Sequence, residues 1–209
     1  MNENVVRLSR WEMFLAYLAG SFGFAPAIMA SILVPLRAEE LGAPIILIGV
    51  IVASGALAPA ILGVWSGSLS DQLGSKFTYT LGTALAGVAA LASAVSPDYW
   101  LLMACQMLFG LARTGSWTAS QSYITSVGTV AERPAIAGRF GLSANLGALI
   151  APVLLGVAAE IVGYQAAFLF IAATCFGYTV VGVALRDIKV PSRSAGSAFK
   201  STAGFTAAF

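Results

Sequence analysis

The chain has 209 residues, of which 58% are hydrophobic and only 10% charged, with a formal net charge of +2 and a mean hydropathy of +0.87. A soluble domain charges about a quarter of its residues, so this composition excludes one and points to a chain embedded in lipid. With no histidine there is no His metal ligand, His-based catalytic dyad or histidine proton relay, and the small net charge carries no nucleic-acid signature.

A helix crosses about 30 Å of hydrocarbon with about 20 apolar residues. Six runs meet that need, over 11–36, 44–66, 77–96, 99–127, 135–162 and 165–185. They predict an all-α polytopic membrane bundle of six transmembrane helices. The first run is too long for a signal peptide and lacks a small-residue cleavage site after it, so a retained first helix is expected. Its Gly20, Gly23 and Pro26, with Pro59 in the second run, permit bending and close packing. The fourth run opens on Tyr99 and Trp100 beside Asp98, an interfacial aromatic anchor. Cys105 and Cys175 sit inside apolar runs without ligand spacing and read as buried thiols, so no metal site and no cofactor are expected. A phosphate-binding Gly-x-x-x-x-Gly-Lys-Ser/Thr loop is absent as well, which excludes that route to ATP-driven work.

Past 185 the sequence becomes basic and rich in Ser, Pro and Gly. Two regions are therefore expected: a six-helix bundle over 1–185, and a cytoplasmic linker over 186–209 whose last residues turn apolar like the approach to a seventh helix. Lys and Arg set the orientation. With an even number of crossings, nine of the eleven share the side of both termini; Arg37 lies opposite and Arg113 lies within the fourth run. Both termini are expected in the cytoplasm of a cell that holds the chain in its cytoplasmic membrane.

The joint between the second and third runs is Gly67-x-x-x-Asp71-x-x-Gly74-x-Lys76, and the joint between the fifth and sixth repeats its spacing as Gly156-x-x-x-Glu160-x-x-Gly163-x-Gln165. Each follows the second helix of a three-helix unit, so the chain reads as an inverted 3+3 repeat. Any tight membrane hairpin favours Gly and one acid, and that simpler origin stays open. The first joint resembles the loop between helices 2 and 3 of the major facilitator superfamily of secondary transporters, G-x-x-x-D-[RK]-x-G-[RK]-[RK]. Gly67, Asp71, Gly74 and Lys76 match it, while Gln72 and Ser75 replace two basic positions. Gly138, Gly147, Pro152 and Gly156 fall on the helix-5 spacing of many antiporters of that family, with Ala151 and Leu155 at two glycine positions. The helix-4 pattern R-x-x-Q-G is poorly kept in Gln106-Met-Leu-Phe-Gly110. The resemblance implies an N-terminal six-helix half of a transporter that works by alternating access. It also implies Asp71 as part of a gating latch and, as partner, a missing C-terminal half or a second copy.

Arg113 is the one ionisable residue deep within any run, and a charge there costs about 2.5–3.5 kcal/mol on insertion scales. Helical spacing stacks Gln106, Gly110, Arg113, Trp117 and Gln121 on one face, with Asn145 of the fifth run as a further pathway candidate. A guanidinium there suits a small anionic solute; it also suits a structural bond to helix carbonyls. The expected function is transport of a small solute across the bilayer, an organic anion being the solute that the guanidinium suits. A multidrug-type efflux half and a non-transport scaffold subunit are the competing readings; an enzyme would need more than one ionisable group at a shared depth.

The charge asymmetry is directly testable. In intact cells, Ala43→Cys should react with an impermeant thiol reagent and Ser75→Cys should not. The opposite pattern would reverse the topology.

Overall fold

A computed structural model describes residues 6–188, with side chains throughout except at 58, 62–72, 158–159, 162 and 164–165. The described backbone forms α1 (Arg10–Ser21), α2 (Ala25–Glu40), α3 (Ile45–Leu73), α4 (Ser75–Ala94), α5 (Tyr99–Thr125) and α6 (Arg133–Ala184). The one bridge outside helices among the described residues pairs Val6 with Val127. From 189 onward the expected linker lies outside the described residues.

Helices cover all six predicted runs, with two changes at the joints. The first run is two helices, α1 and α2, separated by Phe22, Gly23 and Phe24. Pro26, in the first turn of α2, accounts for the break: it lacks the N–H that would bond back to Phe22, and its ring would press on that carbonyl. The chain tightens there instead, with Gly23 N–H donating to the Gly20 carbonyl at 3.1 Å and Phe24 N–H to the Ser21 carbonyl at 3.4 Å. The last two runs are one helical element, α6, interrupted at Gly163 with φ 80° and ψ 169°. By contrast, Pro35, Pro59 and Pro152 sit inside helices that continue through them.

Gly163 is one of four described residues with positive φ, the others being Gly42 (75°), Gly74 (88°) and Gly128 (78°). Only glycine adopts this region without steric cost. Gly42 and Gly128 follow the first spans of the two halves, while Gly74 and Gly163 follow the second. The two three-helix units thus turn at matching places, an echo of the sequence repeat in the backbone.

Four described segments are long and apolar enough to cross a membrane: Arg10–Glu40, Ser75–Ala94, Arg133–Val157 and Ala166–Ala184. A shorter apolar helix spans Ile45–Ile61. At 27 residues α5 has the length, about 40 Å at 1.5 Å per residue, but its polar side chains lower its hydropathy. It is the interior helix, packed chiefly on α3 and α4. Capping fixes the ends. Ser9 and Glu12 form a reciprocal capping box at α1 (2.7 and 3.2 Å), and Asp98 accepts from Leu101 N–H at 2.8 Å at α5. Before α6, the Thr129 N–H and hydroxyl both donate to Glu132, at 2.8 and 2.9 Å, and hold its carboxyl below the usual range. At the end of α2, Arg37 pairs with Glu40 at 2.7 Å and donates to the Ser96 carbonyl at 3.1 Å, tying α2 to the α4–α5 turn.

Small residues let the helices approach, and hydroxyls bond across the seams. A methyl on Gly82 would overlap Ser116 and the Ala112 carbonyl, so α4 and α5 touch backbone to backbone. Ser116 donates to the Tyr79 carbonyl at 3.3 Å, Tyr79 to the Ala19 carbonyl at 3.2 Å, and Thr179 to Thr83 at 3.1 Å. Ser21 and Tyr178 share a 2.6 Å bond between α1 and the second arm of α6. These contacts rank the glycines. Gly82→Leu should lower the stability of the detergent-solubilised chain by about 1–3 kcal/mol, the usual cost of overpacking, and its melting temperature accordingly. Gly177→Leu, with open space around it, should leave the melting temperature unchanged or slightly higher.

Candidate functional site

A cavity of about 140 Å³ opens between α2, α3 and α5. Three small residues of α2, Ala27, Ala30 and Ser31, form one wall, and Val52, Gly55 and Ala56 of α3 form the second. On the α5 side stand Gln106, Phe109, Gly110 and Arg113. Gly110 sets the geometry. A methyl group there would overlap the Gly55 carbonyl, so α3 and α5 are in backbone contact, and the missing side chains leave room beside it.

Arg113 is the charged residue of this lining, and no acid faces it there. It is half-buried and donates through Nη1 to the Gly23 carbonyl at 3.2 Å. That carbonyl belongs to the break between α1 and α2, outside the regular ladders of both helices. One of five guanidinium donors is thereby used; the ion pair found among the described residues is elsewhere, at Arg37 and Glu40. Gln106 lies two turns earlier on the same face. It is 7% exposed, lines the cavity, and has no side-chain hydrogen-bond partner among the described residues. Ser31 spends its proton on its own helix, donating to the Ile28 carbonyl at 2.8 Å, and keeps its lone pairs.

The remaining expected pathway residues lie elsewhere. Trp117 is packed rather than open: it lies against Gly23, edge-on to Phe24 (centroids 5.3 Å apart) and stacked on Phe140 (5.6 Å, 27°). Gln121 is exposed one turn further along α5. Asn145 is exposed on α6 and donates to the Gly141 carbonyl of its own helix at 2.8 Å. Of the helix-5 pattern, Gly147 meets Ser21 in a tight α1–α6 contact, whereas Gly138 and Gly156 border open space. Pro152 lies within α6. Gly67 and Asp71 fall in the last turns of α3, with their side chains outside the described residues. Gly74 caps the start of α4 with its left-handed φ, and Lys76 follows it, half-buried. Sequence reasoning missed Gly55, Ser31 and the Gly23 carbonyl. A signal for the α2 wall was available, since Ala27, Ala30 and Ser31 are small residues at helical spacing; the Gly55–Gly110 contact joins distant helices and leaves none.

Comparison with known proteins gives this arrangement its context. The family model described as Major Facilitator Superfamily matches residues 13–208. The chain is 24% identical over 151 residues to a probable sulfoacetate transporter of Cupriavidus necator, covering 72% of this chain and 35% of that protein. It is 27% identical over 190 residues to solute carrier family 67 member A1 of Homo sapiens, covering 88% and 43%. With the class B tetracycline resistance protein of Escherichia coli it shares 29% over 142 residues, covering 68% and 35%. Among solved structures, a peptide transporter POT mutant in complex with sulfate has a similar fold, with a TM-score of 0.73 at 21% identity, covering 97% of this chain and 45% of that one. The chain thus spans less than half the length of these proteins.

The contact of Gly23 with Trp117 predicts a coupled pair. Gly23→Ala should destabilise the chain by about 1–3 kcal/mol, because its methyl meets the indole ring. Adding Trp117→Leu should recover part of that loss. A double-mutant cycle by thermal melting checks it, and additive effects would place the ring elsewhere.

Proposed function

This chain belongs to the Major Facilitator Superfamily, and from that membership we propose that it forms one six-helix half of a secondary transporter that carries a small organic anion by alternating access. The carrying observation is Arg113 in a cavity with no acid in its lining. A guanidinium held at that depth is costly without a partner, and one carbonyl at 3.2 Å leaves most of its donors for a solute. A carboxylate or sulfonate takes two of them at once in the planar fork. The Cupriavidus necator relative is a probable sulfoacetate transporter, and sulfoacetate is an organic anion that carries such groups.

In the transport cycle this bundle rocks against a second bundle, a C-terminal half or another copy, with the solute between them. Gln106 and Arg113 line the pathway on this side; Trp117, Gln121 and Asn145 are reached as the solute moves along it. Gly67, Asp71, Gly74 and Lys76 form the cytoplasmic latch, with both termini in the cytoplasm. Gly147 of the helix-5 pattern supplies a close α1–α6 contact, and Gly138, Pro152 and Gly156 lie along the same helix, where they give the moving bundle points of bending. Efflux of a larger, drug-like solute is the second reading, and the tetracycline resistance relative favours it.

Binding separates the two. Arg113→Ala should weaken binding of a small carboxylate such as butyrate at least about tenfold, the loss expected for a charge-assisted hydrogen bond, with expression equal or improved. Arg113→Lys keeps the charge but loses the fork and should fall between. Calorimetry on the nanodisc-embedded chain, with yield measured beside it, checks this. Unchanged affinity in Arg113→Ala would end the anion reading and leave efflux.

A further inference from the structure

We infer that Gln106 selects the solute: the cavity takes a short anion that carries, at the end away from its charge, a second group able to hydrogen-bond an amide. This rests on the reading of Arg113 as the anion's partner and adds to it the identity of the far end.

The inference comes from the hydrogen-bond accounting of the cavity. A primary amide has two donors and a carbonyl acceptor. That of Gln106 is buried to 7% exposure, faces the cavity, and has no partner among the described residues. Its polar atoms open onto the cavity, unlike the sealed and unpaired hydroxyls of Tyr17, Thr78 and Tyr123, and a buried group without a partner forfeits its hydration. A cavity of about 140 Å³ has room for several waters, which supply those bonds when no solute is present. A solute that displaces them with a methyl group leaves the amide bare; one that arrives with a hydroxyl or a second oxygen restores the bonds.

Geometry sets the length of such a solute. Gln106 and Arg113 are seven residues apart on one face, about 10 Å along the helix axis, and both side chains reach into the space between. An apolar cavity of about 150 Å³ is filled by a molecule the size of benzene, so a chain of about four carbons bridges the two groups. The anionic head sits on the guanidinium, the stem lies against Val34, Val52 and Ala56, and the far polar group meets the amide. The lining offers one positive charge and no other, so a single anionic head with a neutral polar end complements it best.

Butyrate and 4-hydroxybutyrate are matched probes for this, differing by the terminal hydroxyl alone. Calorimetry on the full chain in nanodiscs should show 4-hydroxybutyrate binding about tenfold tighter than butyrate. In Gln106→Met, which conserves volume and removes the amide, the two should bind within about twofold of each other. Gln106→Asn, which keeps the amide but withdraws it by one methylene, should narrow the preference, and it carries the test if the Met variant melts at a markedly lower temperature. A parent chain that binds butyrate through Arg113 but shows no preference overturns this inference and leaves the anion site standing. Preference retained in Gln106→Met overturns it equally. A parent chain that binds neither probe ends both.

Discussion

Hydrocarbon offers no hydrogen bonds, so every polar group carried into the bundle has to be met by the protein or by enclosed water. The architecture of α5 follows from that constraint. Its hydroxyls turn back on their own helix, Ser116 to Ala112, Thr118 to Thr114 and Ser120 to Trp117, at 2.8 to 3.0 Å. Its most polar stretch is surrounded by α3 and α4 rather than left facing outward. The Arg113 guanidinium and the Gln106 amide make no bond to α5 itself among the described residues, and both line the cavity that small residues of α2 and α3 leave open.

The break in the first span has a part in the same accounting. A continuous helix would commit the Gly23 carbonyl to its ladder. Pro26 interrupts that ladder, and the carbonyl accepts instead from Arg113 at 3.2 Å. Gly23 also admits the Trp117 ring against its backbone, which no side chain there would allow. One irregularity in α1–α2 therefore holds both the cation of the cavity and the aromatic cluster beside it.

Much of the fold was legible in the sequence because hydrophobic length and glycine placement are local signals. All six apolar runs are helical, and the spacing echo around Gly74 and Gly163 reappears as matching left-handed turns. The joints were less legible. Pro26 breaks a run while Pro35, Pro59 and Pro152 lie inside helices that continue, so proline alone does not mark a helix end. Arg113 and Gln106 were readable as odd residues on an apolar helix. Gly55 was not, since its role depends on which helix lies opposite Gly110, and a single sequence does not state helix neighbours.

The stripe of α5 that carries Gln106, Gly110, Arg113, Trp117 and Gln121 shows where periodicity stops being informative. All five positions share a face, as a 3.6-residue repeat requires, yet their surroundings change along the axis. At Gln106 through Arg113 the stripe looks onto Ala27, Ala30, Ser31 and Gly55, and a cavity results. One turn on, Trp117 looks onto the α1–α2 break and Phe140 of α6, and the same face becomes packed aromatic core. At Gln121 it reaches the surface. A helix face is thus a direction, and its chemistry is decided level by level by the volume of the side chains across from it. Small residues opposite a polar stripe make a site; large ones close it.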